Sequence, residues 1–232
     1  MDAGWSLFLA PAGCTAVASA ERAERSDRGE RCAARACGPL DRSRYAAPMP
    51  TIERCLGCPY PEGCAIGPRG NAASSIVVVG EAPGAKEIEE EAPFRGPAGA
   101  VLRKALADAG LSEERLFITN SVACRPFNPG RSNLRTPSPA AMLACHGRLV
   151  TDISAHPRTV IVALGKTAVQ AVTGQRAYPL TKKEPGTVLP SEWGTVVPTL
   201  HPAFVLRFPT RWYSVFVEDL TYARRLVFGP EE

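Results

Sequence analysis

The order of strand and helix patterns along the chain predicts an α/β fold. Four short apolar runs have the length and β-branched content of buried strands, and amphipathic helical patterns separate them. Alternation of this kind is typical of a parallel sheet covered by helices on both faces. The predicted strands are Ile76–Val79, Leu116–Thr119, Thr159–Leu164 and Thr195–Leu200.

Helix boundaries are indicated by capping residues. Val101 to Ala109 form one apolar helix face that ends at Gly110, and the helix after the third strand ends at Gly174. Ser138 is a helix cap followed by Pro139, a residue favoured in the first helical position. We expect Met142, Leu143 and Leu149 of that helix to face inward, and a closing helix over Tyr213–Val227.

The first 48 residues differ from the rest of the chain. They are rich in Ala and Arg and have no sustained apolar period, which is typical of a disordered leader. Met49 opens the patterned region, so we expect a single domain over residues 49–232. No apolar run approaches the length of a membrane span, and Asp2 and Pro11 argue against a signal peptide. We therefore expect a soluble, cytoplasmic monomer.

Charge is unevenly distributed although the net charge is only +4. Residues 49–123 contain seven basic and ten acidic side chains, whereas residues 124–232 contain thirteen basic and seven acidic ones. A polyanionic partner such as DNA would therefore bind mainly to the C-terminal half. An excess of this size is also common on ordinary solvated surfaces.

Polar and glycine-rich residues follow three of the predicted strands. The first strand runs into Gly80, Glu81, Ala82, Pro83 and Gly84; the second ends in Asn120, and the fourth ends in His201. Ligands of parallel α/β sheets bind beyond the carboxyl ends of the strands. The sequence therefore predicts that these residues line one crevice.

The cysteines suggest a metal centre. Cys55 and Cys58 have the two-residue spacing with which two thiolates bind one metal, and Cys64, Cys124 and Cys145 follow at wider spacing. Four thiolates suit zinc or an iron–sulfur cluster, and a single close pair favours the cluster. The alternative is that Cys124 and Cys145 are ordinary buried small residues.

Three motifs in order resemble those of family-four uracil-DNA glycosylases, the iron–sulfur branch of that superfamily. The resemblance covers about residues 50–227. The motifs are Gly80–Gly84 with Glu87 and Pro93–Gly99, then Thr119–Pro126, then His201–Arg207.

The resemblance implies a three-layer α/β/α sandwich with a central four-stranded parallel sheet, and an enzyme that flips uracil out of single- or double-stranded DNA and excises it. It implies that Cys55, Cys58, Cys124 and Cys145 hold a 4Fe-4S cluster. Phe94 would stack on the base, Asn120 would read uracil O4 and N3–H, and His201 would donate to O2. The loop Val205, Leu206 and Arg207 would fill the gap left in the duplex. The implied site residues are Gly80, Glu81, Ala82, Gly84, Glu87, Phe94, Asn120, His201, Leu206 and Arg207.

The chain also departs from the family pattern. Glu91 stands where Gly is expected, and Ala82 stands where other glycosylases carry a water-activating Asp. Glu81, Glu87 and Asn133 are the candidates for that role, and the sequence does not choose among them. The remaining alternative for the whole protein is a non-catalytic iron–sulfur or zinc module that binds nucleic acid on the same fold.

Overall fold

The computed structural model describes residues 65–126, 136–156 and 159–230. All of them belong to one compact unit of the chain, Leu40–Glu232. The leader predicted over residues 1–48 lies outside the described residues, as do Cys55, Cys58, Cys64 and Asn133.

A mixed sheet with a parallel centre organises the described part of the chain. Its strand order is β1-β3-β2-β4-β6-β5, and the four central strands are parallel. The predicted α/β fold and its four parallel strands are therefore confirmed. The strands are β1 (Arg69–Gly70), β2 (Ile76–Gly80), β3 (Phe117–Asn120), β4 (Thr159–Leu164), β5 (Leu189–Ser191) and β6 (Gly194–Thr199).

Two short antiparallel strands extend this sheet beyond the four that we expected. Strand β1 pairs with β3, placing Arg69 opposite Ile118, and β5 pairs with β6 as the first arm of a hairpin. Segments of two and three residues carry too little periodicity to be recognised in a sequence.

Six α-helices and a 3-10 turn at Glu113–Arg115 accompany the strands within the described ranges. The α-helices are α1 (Ala85–Glu89), α2 (Pro97–Asp108), α3 (Pro139–Ser154), α4 (Lys166–Thr173), α5 (Pro202–Arg207) and α6 (Pro209–Phe228). The predicted caps are present: the Ser138 hydroxyl accepts a hydrogen bond from the Ala141 N–H, and Gly174 ends α4 with a left-handed φ of 74°. None of these helices is long and apolar enough to cross a membrane.

The core lies between the sheet and its helices. Strand β2 is buried over its whole length, as a central strand of a sheet covered on both faces must be. One prediction about α3 is wrong: Leu143 is 77% exposed, while Leu149 is buried as expected. The buried face of α3 includes Arg148 and Asp152 instead, because these charged side chains find partners at the end of β3.

Candidate active site

The ends of β2 and β3 bring three predicted site residues into contact. A Cβ atom built on Gly80 would lie 2.3 Å from Oδ1 of Asn120 and 2.6 Å from Cζ of Phe94. A side chain at position 80 would therefore displace the Asn120 amide, the Phe94 ring or both. Asn120 is 5% exposed, and no other described residue hydrogen-bonds to its side-chain amide. The amide therefore keeps its donor and acceptor for a ligand.

The segment that carries Phe94 is held by Glu87. One carboxylate oxygen of Glu87 accepts the N–H of Gly84 at 3.1 Å, and the other accepts the N–H of Gly96 at 3.0 Å. Gly84 and Gly96 are the N-cap residues of α1 and α2, so one buried side chain ties both helix starts together. Phe94 lies between them with a left-handed φ of 56°, a conformation that a residue with a side chain adopts only under constraint.

His201 follows β6 by two residues and caps α5. Its Nδ1 accepts the N–H of Ala203 at 3.2 Å, so in this neutral ring the proton belongs to Nε2. Burial first, and the Arg207 guanidinium second, lower the pKa of His201 to about 4. The imidazole is therefore neutral at pH 7 and offers one N–H donor.

Gly165 and Phe94 are neighbours of the His201 side chain. Gly165, at the start of α4, lies so close that a Cβ there would be 3.0 Å from the Cβ of His201. The ring centroid of His201 is 6.2 Å from that of Phe94. The imidazole therefore lies near the phenyl ring, which in turn lies beside Gly80 and the Asn120 amide.

Glu81 follows Gly80 at the same edge of the sheet. Its Oε2 accepts the hydroxyl proton of Thr167, in the first turn of α4, at 2.6 Å. The side chain is partly exposed, and among the described residues no hydrogen bond reaches its other oxygen. One carboxylate oxygen of Glu81 therefore remains open to a ligand or water, whereas both oxygens of Glu87 accept backbone N–H groups.

Ala82 and Gly84 shape the loop after β2. Ala82 packs against a small buried cluster that contains Val122 and Cys145, and the N–H of Val122 donates to the Glu81 carbonyl at 3.1 Å. Gly84 serves as the α1 cap described above. These contacts fix the backbone of the loop that joins Gly80 to α1.

The buried Arg148 holds the backbone of Asn120, and this contact was not predicted from the sequence. Arg148 of α3 donates to the backbone carbonyl of Asn120, to the Thr119 hydroxyl and to the Asp152 carboxylate. Thr119 also donates to Asp152 at 2.7 Å. The signal in the sequence was the spacing of Arg148 and Asp152 by four residues on an otherwise apolar helix face.

Only two of the three residues predicted to fill the gap in the duplex are exposed. Leu206 is 46% exposed and Arg207 is exposed, at the end of α5. Val205 is fully buried in the core, so the prediction that it joins Leu206 and Arg207 in the duplex is wrong. In a helix, neighbouring residues point in different directions, and Val205 is needed to anchor α5.

Two of the four predicted cysteine ligands are described. Cys124 and Cys145 are both buried, at 6% and 7% exposure. Residue Ala65 pairs with Cys124 in an antiparallel bridge, so the chain that follows Cys64 runs directly alongside Cys124. Among the described residues no group of three or more His, Cys, Asp or Glu side chains could hold a metal ion.

A phenyl ring, an amide and a neutral imidazole lie near one another where strands of a parallel α/β sheet end, which is where proteins of this fold class bind their ligands. Comparison with known proteins specifies the class: the sequence pattern of the Uracil DNA glycosylase superfamily matches residues 68–221. The chain belongs to this superfamily.

Relatives within the superfamily are more specific. The chain is 35% identical over 183 residues to the type-4 uracil-DNA glycosylase of Thermotoga maritima, an alignment that covers 76% of this chain and 91% of that protein. It is 38% identical to the type-4 uracil-DNA glycosylase of Archaeoglobus fulgidus over 60% of this chain and 71% of that protein. The corresponding enzyme of Pyrobaculum aerophilum is 36% identical over 68% and 82%.

Proposed function

We propose that this protein is a DNA glycosylase of the iron–sulfur type that excises uracil from DNA. The observation that carries the proposal is the close grouping of Gly80, Asn120, Phe94 and His201 at the strand ends. The names of the relatives agree with this activity.

Asn120 supplies the base discrimination. Its side chain offers one N–H donor for uracil O4 and one carbonyl acceptor for N3–H, and Arg148 holds its backbone in place. Cytosine presents the opposite donor and acceptor pattern on that edge, and each buried polar group left unpaired costs about 1–3 kcal/mol. Phe94 covers the base with its ring, and the Glu87 contacts to Gly84 and Gly96 hold the segment that carries this ring.

His201 supplies stabilisation of the leaving group. Cleavage of the glycosidic bond leaves negative charge on uracil, and the Nε2–H of a neutral imidazole can donate to O2 as this charge develops. The Ala203 N–H fixes the tautomer, and burial keeps the ring neutral. A protonated ring would lose the cap on α5, because Nδ1 could no longer accept a hydrogen bond.

Glu81 is the residue we assign to orienting the attacking water. One of its oxygens is held by Thr167, and the other remains for a water molecule. Both oxygens of Glu87 accept backbone N–H groups, which supports a positioning role for that residue in place of a catalytic one. Leu206 and Arg207 are exposed beside His201, where they would enter the space that the flipped base leaves.

Cys55, Cys58, Cys124 and Cys145 would hold a 4Fe-4S cluster. The burial of Cys124 and Cys145 supports an enclosed centre, and the bridge between Ala65 and Cys124 brings the described chain next to Cys64 alongside one proposed ligand. When bound, such a cluster supplies a covalent cross-link between the segments that carry its ligands. Arg148 lies one turn from Cys145 on α3, so the same helix also supports Asn120.

Single-turnover cleavage of uracil-containing DNA tests the function. Wild-type protein should excise uracil, and Asn120→Asp should abolish most of this activity because the substitution removes the donor to O4. His201→Ala should lower the rate by roughly two to three orders of magnitude while binding of DNA persists. Thermal melting controls for folding. An inactive wild type that still binds DNA would support the non-catalytic module; if both variants melt normally and cut at wild-type speed, the active site lies elsewhere.

A further inference from the structure

An exposed aromatic ring lies just beyond the helix that His201 caps. Phe208 is 51% exposed and stands between α5 and α6. Its ring centroid lies 5.3 Å from that of Phe204, which in turn lies 6.1 Å from Trp212. Phe204 and Trp212 pack against the main core, so the exposed Phe208 ring contacts side chains that the core holds in place.

Three hydrogen bonds hold the backbone of Phe208. Its N–H donates to the Val205 carbonyl, and its own carbonyl accepts the N–H groups of Arg211 and Trp212. Phe208 thus ends one helix and begins the next. A half-exposed ring on a backbone fixed in this way loses little conformational freedom when it binds a ligand.

The charge around the ring suits a nucleic acid strand. Arg207 and Arg211 flank Phe208 in the sequence and are both exposed, and the Arg211 guanidinium lies 4.9 Å from the centroid of the Trp212 ring. Aromatic rings beside cations are the usual means by which proteins bind single-stranded DNA, since each base presents a π-face and each nucleotide a phosphate.

The distance from His201 sets which nucleotides are within reach. Seven residues of helical rise separate His201 from Phe208, about 10 Å. This distance corresponds to at most about three nucleotide steps, because a step spans about 3.4 Å in a stacked strand and more in an extended single strand. The base that meets Phe208 is therefore a near neighbour of the uracil. In a duplex that base is covered by its stacked neighbours, whereas in single-stranded DNA its face is open.

We propose that Phe208, supported by Phe204, stacks on an exposed base of single-stranded DNA within three nucleotides of the uracil. The inference rests on the proposed function and deepens it. It assigns to the Phe208 ring the binding of single-stranded DNA next to the uracil.

Binding of a single-stranded oligonucleotide tests the proposal. The probe carries one 2′-fluoro-2′-deoxyuridine, whose glycosidic bond resists cleavage, and a fluorophore for anisotropy. We expect Phe208→Ala to weaken binding about tenfold, the effect usual for a lost stacking contact. Phe208→Trp should retain affinity, and Phe208→Leu should lose it, because an aliphatic side chain offers no π-face.

Phe228 provides the matched control. It is 49% exposed, similar to Phe208, but it lies at the far end of the 20-residue helix α6, about 30 Å away. Phe228→Ala should bind the probe like wild type. Replacing each of the three nucleotides on either side of the uracil by an abasic site should reveal one position at which wild type and Phe208→Ala bind equally.

The outcomes separate this proposal from the proposed function. If wild type excises uracil from single strands but Phe208→Ala binds the probe as tightly as wild type, the stacking proposal is overturned alone. Full affinity of Phe208→Leu, or a loss confined to duplex DNA, overturns it too, because Phe208 would then act as an apolar wedge. A wild type that excises no uracil overturns the proposed function instead, whatever the probe shows.

Discussion

Gly80 and Asn120 lie side by side at the ends of two neighbouring parallel strands, and a Cβ atom on residue 80 would come within 2.3 Å of Oδ1 of Asn120. The same atom would lie 2.6 Å from the Phe94 ring. Gly80→Ala should therefore displace both side chains and reduce uracil excision at least a hundredfold in single-turnover assays, on the order of the loss of one key polar contact.

Gly147→Ala is the control for this substitution. Gly147 lies within α3, and nothing lies within 4 Å of a Cβ built there. Alanine in a helix interior is preferred over glycine by about 1 kcal/mol, so Gly147→Ala should raise the melting temperature and leave excision unchanged. Normal excision by Gly80→Ala would show that the crevice does not hold the base.

Substitution of the two glutamates should separate positioning from catalysis. Glu87→Gln turns an amide NH₂ toward a backbone N–H, so it should lower the free energy of unfolding by about 1–3 kcal/mol. Glu81→Gln keeps an acceptor for Thr167 and should melt near wild type while excision falls roughly a hundredfold or more. Denaturant melts and single-turnover rates on both variants measure this. A fully active Glu81→Gln would remove Glu81 from the mechanism.

The titration of His201 should be visible in stability and not in activity at neutral pH. Its pKa is lowered from 6.5 to about 4. Between these two pH values the imidazole stays neutral in the folded protein, whereas the same side chain takes up a proton in the unfolded chain. The His201 contribution to stability is therefore complete above about pH 6.5 and is lost as the pH falls toward 4. The excision rate should show no imidazole titration between pH 8 and 5.

NMR titration of the imidazole gives the pKa of His201 directly. His201→Asn should remove its part of the pH dependence of unfolding and serves as the control. A midpoint near 6.5 in the folded protein would contradict the assignment of a neutral donor.

Glu91 offers a stabilising substitution. Its φ is 51°, a left-handed conformation that costs a residue with a side chain about 1–2 kcal/mol, while glycine adds about 0.5–1 kcal/mol of chain entropy to the unfolded state. Glu91→Gly should therefore stabilise the protein by about 0.5–1 kcal/mol in thermal or chemical unfolding. Its neighbour Glu90 has a φ of −98°, so Glu90→Gly should destabilise; equal effects of the two changes would argue against strain at Glu91.

The cysteine set predicts a brown protein. A 4Fe-4S cluster absorbs broadly toward the violet end of the visible spectrum and bleaches on oxidation or in acid. Cys145→Ala should lose this absorption, while Cys64→Ala should keep it, because Cys64 is not among the assigned ligands. A colourless protein with one zinc per chain, or bleaching by Cys64→Ala, would contradict the assignment.

Local chemistry explains which parts of the structure could be predicted. Strand β2 was recognisable because four consecutive β-branched residues suit a fully buried strand. The start of α3 was recognisable because Ser138 and Pro139 act within one turn of the chain. The family pattern even marked residue 91 as a glycine position, and Glu91 there has the left-handed backbone that favours glycine.

Contacts between distant segments were decided by the tertiary structure alone. Burial of Arg148 depends on the Asn120 carbonyl, 28 residues away in sequence, and exposure of Leu143 depends on which face of α3 meets the sheet. The neutral state of His201 likewise required burial among α4, α5 and the Phe94 segment. The four parallel strands, the helix caps and the residue types at the strand ends followed from the sequence, because these features depend on neighbours a few residues apart. Only the folded chain decided which polar groups meet, because burial and pairing arise from all the segments that pack together.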